Sequence, residues 1–549
     1  MIYKRHSNVD QELYMKPCVS IACFISSHGF GHAARASAVI NALFEQWPFL
    51  HAALFTTVPE WFFKDSLQVP FSYHHMAADI GLVQRTALEA DLAASIARLD
   101  ALFPLADKET GLLAEMLEKM KCRLVISDIS PWGIVAAGKA GIPSLLIENF
   151  TWDWIYEGYL AQDNRLKPHI GYLRQVFAAV DHRIQAVPWC SPCLAADLEA
   201  PPISRKPLTE RAVVRDRLGL DGNRKMVLIT MGGVPEIPTF LDAFKIIDEP
   251  VHFVVPGNFP DLPVSGQRRG NATLLPHHSV FYHPDLVAAA DAVVGKVGYS
   301  TLAEAYNSGV PFGYVCRPGF REGPPLEDFI QREMVGLGIT PEEFATGAWL
   351  QKLPRLLALP ARAEKKENGA DVAAAHIRRL ITVHYDLLEV VDVKGNTCGA
   401  APRREVHGNN ALLHRVVHVL VLDQRDRILL QKRSMNKRVA PGKWDTSVGG
   451  HVDCDETIEN AMLREMAEEL GITGAAPEFA YHYTHSNDFE SELVFTFVCR
   501  FNGQPRFNPE EIETVAFWGM NEIEANLGQG LFSDNFEHEF ALFRQWSNQ

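Results

Sequence analysis

The sequence predicts an α/β protein of two doubly wound lobes, each a parallel sheet covered by helices, followed by a separate mixed α/β domain. Three observations carry this. From residue 18 to about 380, short β-branched runs alternate with longer helical patterns, as parallel strands joined by crossover helices do. The alternation forms two series, separated by the Pro- and Cys-containing stretch Pro188 to Pro207, which suits a connector. Beyond residue 385 the pattern changes to strands with one long helix among them. A chain of 549 residues exceeds what one hydrophobic core organises, so three domains are expected, at residues 1–188, 208–382 and 385–549.

The first series places strands at Val19 to Ser26, Ala52 to Thr57, Leu124 to Ser127 and Ser144 to Ile147. The second places them at Met226 to Thr230, His252 to Val255, Ala292 to Val294 and Phe312 to Val315. A boundary is expected in Pro354 to Gly369, around the charged run Glu364 to Glu367, with one more helix ending near Thr382. In the last domain, alternating apolar positions predict strands at Leu412 to Leu422, Ile428 to Lys432, Glu478 to Thr484 and Glu492 to Phe501. A helix is predicted from about Glu456 to Leu470.

Composition excludes several classes. Fifty-two basic against 67 acidic residues give a net charge of −15, the wrong sign for a chain that coats nucleic acid. The longest apolar stretch, Leu124 to Ile147, is broken by Asp128, Pro131, Lys139 and Pro143, so no membrane span is expected. Nine cysteines from Cys18 to Cys499 lack the dense spacing of a secreted scaffold, which points to a reducing, cytoplasmic setting. The close pair Cys190 and Cys193 has no neighbouring ligands to complete a zinc site. Composition fixes no oligomeric state.

The densest chemistry lies near the C-terminus. Gly450 is followed by Glu456 and then by Arg464-Glu465-Met466-Ala467-Glu468-Glu469-Leu470-Gly471-Ile472. Glu465, Glu468 and Glu469 fall at i, i+3 and i+4, so on a helix they share a face and can offer oxygen ligands to a hard divalent cation. Gly450 lets a loop turn close to that face, and Gly471 ends the helix. Taken alone the triplet also suits an exposed acidic helix. The whole pattern resembles the Nudix hydrolases over residues 385 to 549, including Pro441 to Trp444 and Pro509-Glu510-Glu511. That resemblance implies an α/β/α sandwich, a magnesium or manganese cofactor held by Glu465, Glu468 and Glu469, and hydrolysis of a small-molecule diphosphate. It also implies a salt bridge from Glu456 to Arg464 that ties loop to helix.

A second resemblance overlaps it. His407, His414, His451, Glu490 and Glu492 are similar to the metal-ligand set of isopentenyl-diphosphate isomerase, a Nudix-fold relative. The position of that enzyme's catalytic cysteine is Gly449 here, and without a thiol one of two acid/base groups is missing. Cys454 lies in the following loop. Each histidine taken singly also reads as a hydrogen-bonded residue at a strand end.

Two glycine loops mark the N-terminal region. Ser26 to Arg35, with His28, Gly29, Gly31 and His32, and Gly295 to Ala305, with Gly298, Ser300, Thr301 and Glu304, each lead from a strand into a helix. Such a helix N-terminus attracts a phosphate. Together with Asn149 to Tyr156 and Arg317 to Pro325, these stretches resemble the glycosyltransferase-like half of plant L-arabinokinase and related two-lobed glycosyltransferases. The resemblance implies two Rossmann-like lobes of the glycosyltransferase B type and a nucleotide-sugar ligand. Gly29, Gly31, Gly298, Ser300 and Thr301 would bind it, Glu304 would hold the ribose, and His32 would face an acceptor as base. Trp152, Trp154 and Tyr156 read equally well as core. The expectation is a bifunctional enzyme, with two alternatives: a Nudix enzyme carrying a nucleotide-sugar sensor, or an isoprenoid diphosphate isomerase, which Gly449 opposes.

Overall fold

The computed structural model describes residues 19–85, 89–231, 240–247, 250–257, 259–361, 366–437 and 439–548. Cys18, Glu364 and Lys365 lie outside them. The chain divides into two compact units, one spanning Ser20–Arg379 and one holding Leu380–Gln549.

The first unit contains two seven-stranded sheets. In the first, β1 (Val19–Ile25), β2 (Leu50–Thr56), β3 (Phe71–His75), β4 (Cys122–Asp128), β5 (Ser144–Glu148), β6 (His182–Ala186) and β7 (Leu198–Ala200) stand in the order β3-β2-β1-β4-β5-β6-β7. β1 is buried at every position but Ser20, because helices cover both faces and leave no solvent side for polar alternation. The second sheet holds β8 (Lys225–Thr230), β9 (Val251–Pro256), β10 (Gln267–Arg269), β11 (Ala272–Leu275), β12 (Ala292–Lys296), β13 (Phe312–Val315) and β14 (Gly336–Ile339). Their order is β10-β11-β9-β8-β12-β13-β14, parallel except for the edge pair β10/β11. Successive residues of β8 feed opposite cores, Met226 and Leu228 on one face, Val227 and Ile229 on the other, as the two-residue period of a strand requires. Both sheets reverse strand order about a central strand, the arrangement that opens a crevice at the strands' C-terminal ends.

The second unit is a nine-stranded mixed sheet of β15 (Leu387–Val391), β16 (Thr397–Pro402), β17 (Leu413–Leu422), β18 (Ile428–Arg433), β19 (Trp444–Asp445), β20 (Val448–His451), β21 (Glu478–Ser486), β22 (Ser491–Arg500) and β23 (Ile512–Trp518). β17 pairs in parallel with β22 and antiparallel with β20. Its odd-numbered Val417, Val419 and Val421 pack against Ala461, Met462, Met466 and Leu470 of helix Ile458–Leu470. Leu420 and Leu422 meet Phe536, Phe540 and Phe543 of helix Asp534–Trp546 on the other face. One helix on each face makes the expected sandwich.

The sequence reading names no strand at β3, β6, β10, β11, β14, β15, β16, β19 or β20, and three further elements differ. The stretch Pro188 to Pro207 is more than a connector, since it contributes edge strand β7. Helix Ile458–Leu470 starts after Glu456, because Thr457 caps it by accepting from the Asn460 N–H. The helix expected to end near Thr382 runs Gly369–Tyr385. Among the described residues no helix is long and apolar enough to cross a membrane.

Candidate active sites

In the second unit, Gly450 on β20 lies directly against the Glu465 carboxylate. A Cβ at residue 450 would stand less than 3.0 Å from it, so only glycine leaves room for that carboxylate. Arg464 donates to Glu456 at 2.9 and 2.8 Å and to the His451 carbonyl at 2.9 Å, which ties the loop to the helix as expected. The same guanidinium reaches Glu465 at 2.6 Å and Glu468 at 3.2 Å, so its charge offsets the repulsion between these carboxylates. Glu469 accepts from the Gly449 N–H and the Gln431 amide, both at 3.1 Å. Burial, with the charge of Glu465 added, pushes its pKa up to about 7. Gly471 takes φ +64° and closes the helix with its N–H on the Ala467 carbonyl. The three carboxylates share this helix but are held apart by partners, Glu465 and Glu468 by Arg464 and Glu469 by Gly449; among the described residues they do not form a group with ligand atoms within 4.8 Å of one another.

A second group begins at the next residue of β20, since His451 pairs with Val416 of β17 and Gly450 with Val417. His407, His414 and His451 bring one ring nitrogen each to within 4.8 Å of one another. His414 is fully buried, and its Nε2 has no hydrogen-bond partner. Burial lowers its pKa to about 4, which keeps the ring neutral and able to ligate. Arg403 donates to His451 Nδ1 at 2.8 Å. A guanidinium cannot accept, so in the neutral His451 ring the proton sits on Nε2, which donates to His407 Nε2 at 2.9 Å. Ligation through His451 Nε2 therefore requires Arg403 to turn away. Glu490 comes to 3.8 Å from His407. Glu492 accepts from the Asn535 amide at 2.9 Å, and burial beside Glu490 raises its pKa to about 7.

His407, His451, Glu490 and Glu492 line one cavity, and sequence reasoning missed several of its other members, His418 among them. His418 of β17 pairs with Gly449 of β20, and a Cβ at 449 would lie 3.3 Å from its ring. The side of Gly449 from which a thiol would project is thus bordered by an imidazole. His418 Nδ1 and the Thr496 hydroxyl both reach Glu539 Oε1, at 3.0 and 2.8 Å. Burial alone would lower the His418 pKa, but the Glu539 carboxylate outweighs it and raises the value to about 9. Cys454 is not a substitute thiol for the cavity: it is buried and donates to the Leu387 carbonyl at 3.2 Å.

In the first unit the two glycine loops meet. Gly29 has φ +76°, a conformation other residues rarely adopt, and a Cβ on Gly31 would lie 3.5 Å from Ser300 Oγ. Both loops line one cavity with His32, Gly298 and Thr301. Helix Tyr299–Ser308 has Gly298 at its N-cap, with no side-chain cap bond, so its first N–H groups are available to an anion. His32 is 7% exposed and pairs through Nδ1 with Asp128 at 2.7 Å. Asp128 also accepts from Arg35 at 2.8 and 2.6 Å. Burial would raise the Asp128 pKa, but Arg35 and His32 bring it below the usual carboxylate range.

Glu304, expected at the ribose, already has protein partners. One oxygen accepts from Arg205 at 3.1 and 2.9 Å, and the other meets His283 Nδ1 at 2.8 Å. It borders a second, aromatic cleft lined by Phe30, Trp61 and Tyr282, but its carboxylate is committed to that ion pair. Trp152 and Tyr156 are buried core residues.

The comparisons with known proteins divide along the same line. A NUDIX domain model matches residues 412–536. An uncharacterized Nudix hydrolase of Streptomyces coelicolor is 30% identical over 165 residues, 29% of this chain and 90% of that protein. Isopentenyl-diphosphate Delta-isomerase of the same species is 33% identical over 158 residues, 28% of this chain and 80% of the isomerase. The N-terminal region is similar to L-arabinokinase of Arabidopsis thaliana, 29% identical over 368 residues and 64% of this chain. The chain spans about a third of that kinase's length, 33%. Among solved structures, the calicheamicin glycosyltransferase CalG4 covers 67% of this chain and 94% of itself at 15% identity and a TM-score of 0.43. Nudix domains generally use divalent metals. The chain belongs to the Nudix family through its C-terminal domain, which is joined here to a glycosyltransferase-like region.

Proposed function

We propose that the C-terminal domain is a magnesium-dependent pyrophosphohydrolase acting on a nucleoside diphosphate-linked or other small diphosphate. The observation that carries this is the seating of Glu465 on Gly450, with Arg464 locking loop to helix. Glu465, Glu468 and Glu469 would hold the metal, and manganese suits the same ligands. When bound, a divalent cation supplies charge neutralisation at the diphosphate and an activated water for attack on phosphorus. Arg433 and Lys443 line the cavity that holds His407, His418 and His451, and would bring positive charge there for phosphate oxygens. His407, His414, His451, Glu490 and Glu492 supply a second candidate metal group. It supports an isomerase-like diphosphate as substrate class, while Gly449 removes the thiol that isomerisation would use.

For the N-terminal region the reading is a nucleotide-sugar site that transfers glycosyl groups. The nucleoside would occupy the aromatic cleft of Phe30, Trp61 and Tyr282, and the diphosphate would sit at Gly298, Ser300 and Thr301. His32 would act as base, oriented by Asp128. The committed Glu304 favours a supporting role for that residue, since it fixes Arg205 and His283 at the cleft. The test is a screen of nucleotide sugars and other diphosphates with magnesium, which compares released phosphate products with transfer to added acceptors. Glycosylated product supports the bifunctional reading; release without transfer leaves the N-terminal region as a sensor. No release from any diphosphate would refute the hydrolase assignment.

A further inference from the structure

We propose that the cavity beyond Ser300 and Thr301 binds a carboxylate one sugar ring away from the diphosphate, with Arg317 as its partner. This rests on the nucleotide-sugar reading above. Arg317 lies two residues past β13 and lines the cavity with His28, Lys296 and Glu322. It is 7% exposed, and its Nε and Nη1 have no hydrogen-bond partner. Its guanidinium stacks over Phe320 at 4.2 Å from the ring centre, which fixes the plane and leaves the donor edge unmatched.

The nearby carboxylates are already engaged. Asp128 is paired with Arg35 and hydrogen-bonded to His32, and Glu322 accepts from the Asn149 amide at 2.9 Å. Glu322 acts on Arg317 through its charge but makes no hydrogen bond or close salt bridge with it. A desolvated guanidinium without a hydrogen-bonded anion is costly, and neutral hydroxyls do not offset its charge. A carboxylate does, through two parallel N–H bonds that a lysine cannot reproduce.

Position separates this group from the diphosphate. Ser300 and Thr301 line both the aromatic cleft and the Arg317 cavity, so a diphosphate on that helix N-terminus sits where the two join. Arg317 lines only the cavity away from the aromatic nucleoside pocket, on the side of His28 and Phe150. A ligand threaded from one to the other therefore presents its sugar, or an acceptor next to it, to the guanidinium. The chemical class is a nucleoside diphosphate uronic acid, or an acidic acceptor beside a neutral donor.

Calorimetry on the full chain distinguishes these. The probes are UDP, UDP-glucose and UDP-glucuronate, then GDP, GDP-mannose and GDP-mannuronate, and finally free glucuronate added to nucleotide-saturated protein and to protein without nucleotide. The expected result, in a series whose free nucleotide binds, is at least tenfold tighter binding of the uronate than of the neutral sugar. Arg317→Met should abolish that preference and leave free-nucleotide affinity within about twofold, and Arg317→Lys should restore only part of it. Preference for free glucuronate over the uronate donor, lost in Arg317→Met, supports the site with the acceptor as source. Equal affinity for neutral and acidic sugars, with no glucuronate binding, overturns the proposal. So does an Arg317→Met variant, folded by its melting curve, that weakens free nucleotide and uronate alike, because Arg317 would then serve the diphosphate. If neither nucleotide binds while glucuronate alone binds in an Arg317-dependent way, the nucleotide-sugar reading fails and the carboxylate site stands.

Discussion

Replacing Gly450 with alanine probes the metal face by adding one methyl group. The new Cβ would fall less than 3.0 Å from the Glu465 carboxylate, where ordinary contact is about 3.4 to 4 Å. Glu465 must therefore withdraw by at least about 1.5 Å, and a displacement of about 1 Å at a reacting centre is already worth about a hundredfold in rate. The backbone at 450 is not in the left-handed region, and the obstructed atoms end a flexible side chain, so stability should change by less than about 1.5 kcal/mol. The assay pairs magnesium-dependent phosphate release from the best diphosphate in the screen with a thermal melt of the same sample. Loss of about a hundredfold in rate with an unchanged melt is expected. A Gly450→Ala enzyme with wild-type turnover would show that the position of Glu465 is irrelevant to the reaction.

Other expectations follow from buried charge. Glu304→Ala strands the buried Arg205, so it should destabilise the first unit by about 3 to 5 kcal/mol; equal melting temperatures for this variant and wild type would contradict the ion pair. His418 has its pKa raised from 6.5 to about 9, so its pairing stabilises the fold fully below pH 6.5 and is lost as pH rises through 9. The contribution is on the order of 3 kcal/mol, and chemical unfolding between pH 6 and 10 should show a steeper loss for wild type than for His418→Gln. Parallel profiles would refute it. With isopentenyl diphosphate and magnesium or manganese, no dimethylallyl diphosphate should form, because Gly449 carries no acid/base group; its appearance at an enzyme-like rate would hand that role to His418.

The sequence made the fold legible where the signal is local. Buried parallel strands read as unbroken apolar runs, and β13 falls at Phe312–Val315 as the pattern predicts. The spacing of Glu465, Glu468 and Glu469 encodes one helical face in the sequence itself. What it hid are pairings across long loops: Asp128 with His32 is 96 residues apart, Arg205 with Glu304 is 99, and His418 with Glu539 is 121. No periodicity links such positions; only the stacking of strands and helices does. Glu304 illustrates the consequence, since its loop motif suggests a ligand contact while Arg205, from the connector, occupies it. Strand β7 was hidden because three edge residues in a proline-containing stretch carry no alternation to read.

The central claim is that water attacks a diphosphate at the Glu465, Glu468 and Glu469 face. Its most direct measurement is turnover of the full chain in oxygen-18 water with magnesium, wild type against a Glu465→Gln, Glu469→Gln double variant. The account predicts one labelled oxygen in a phosphate product of the wild type, and loss of nearly all labelled product in a variant that still folds. Equal label from the double variant, or product formed without label, would contradict it.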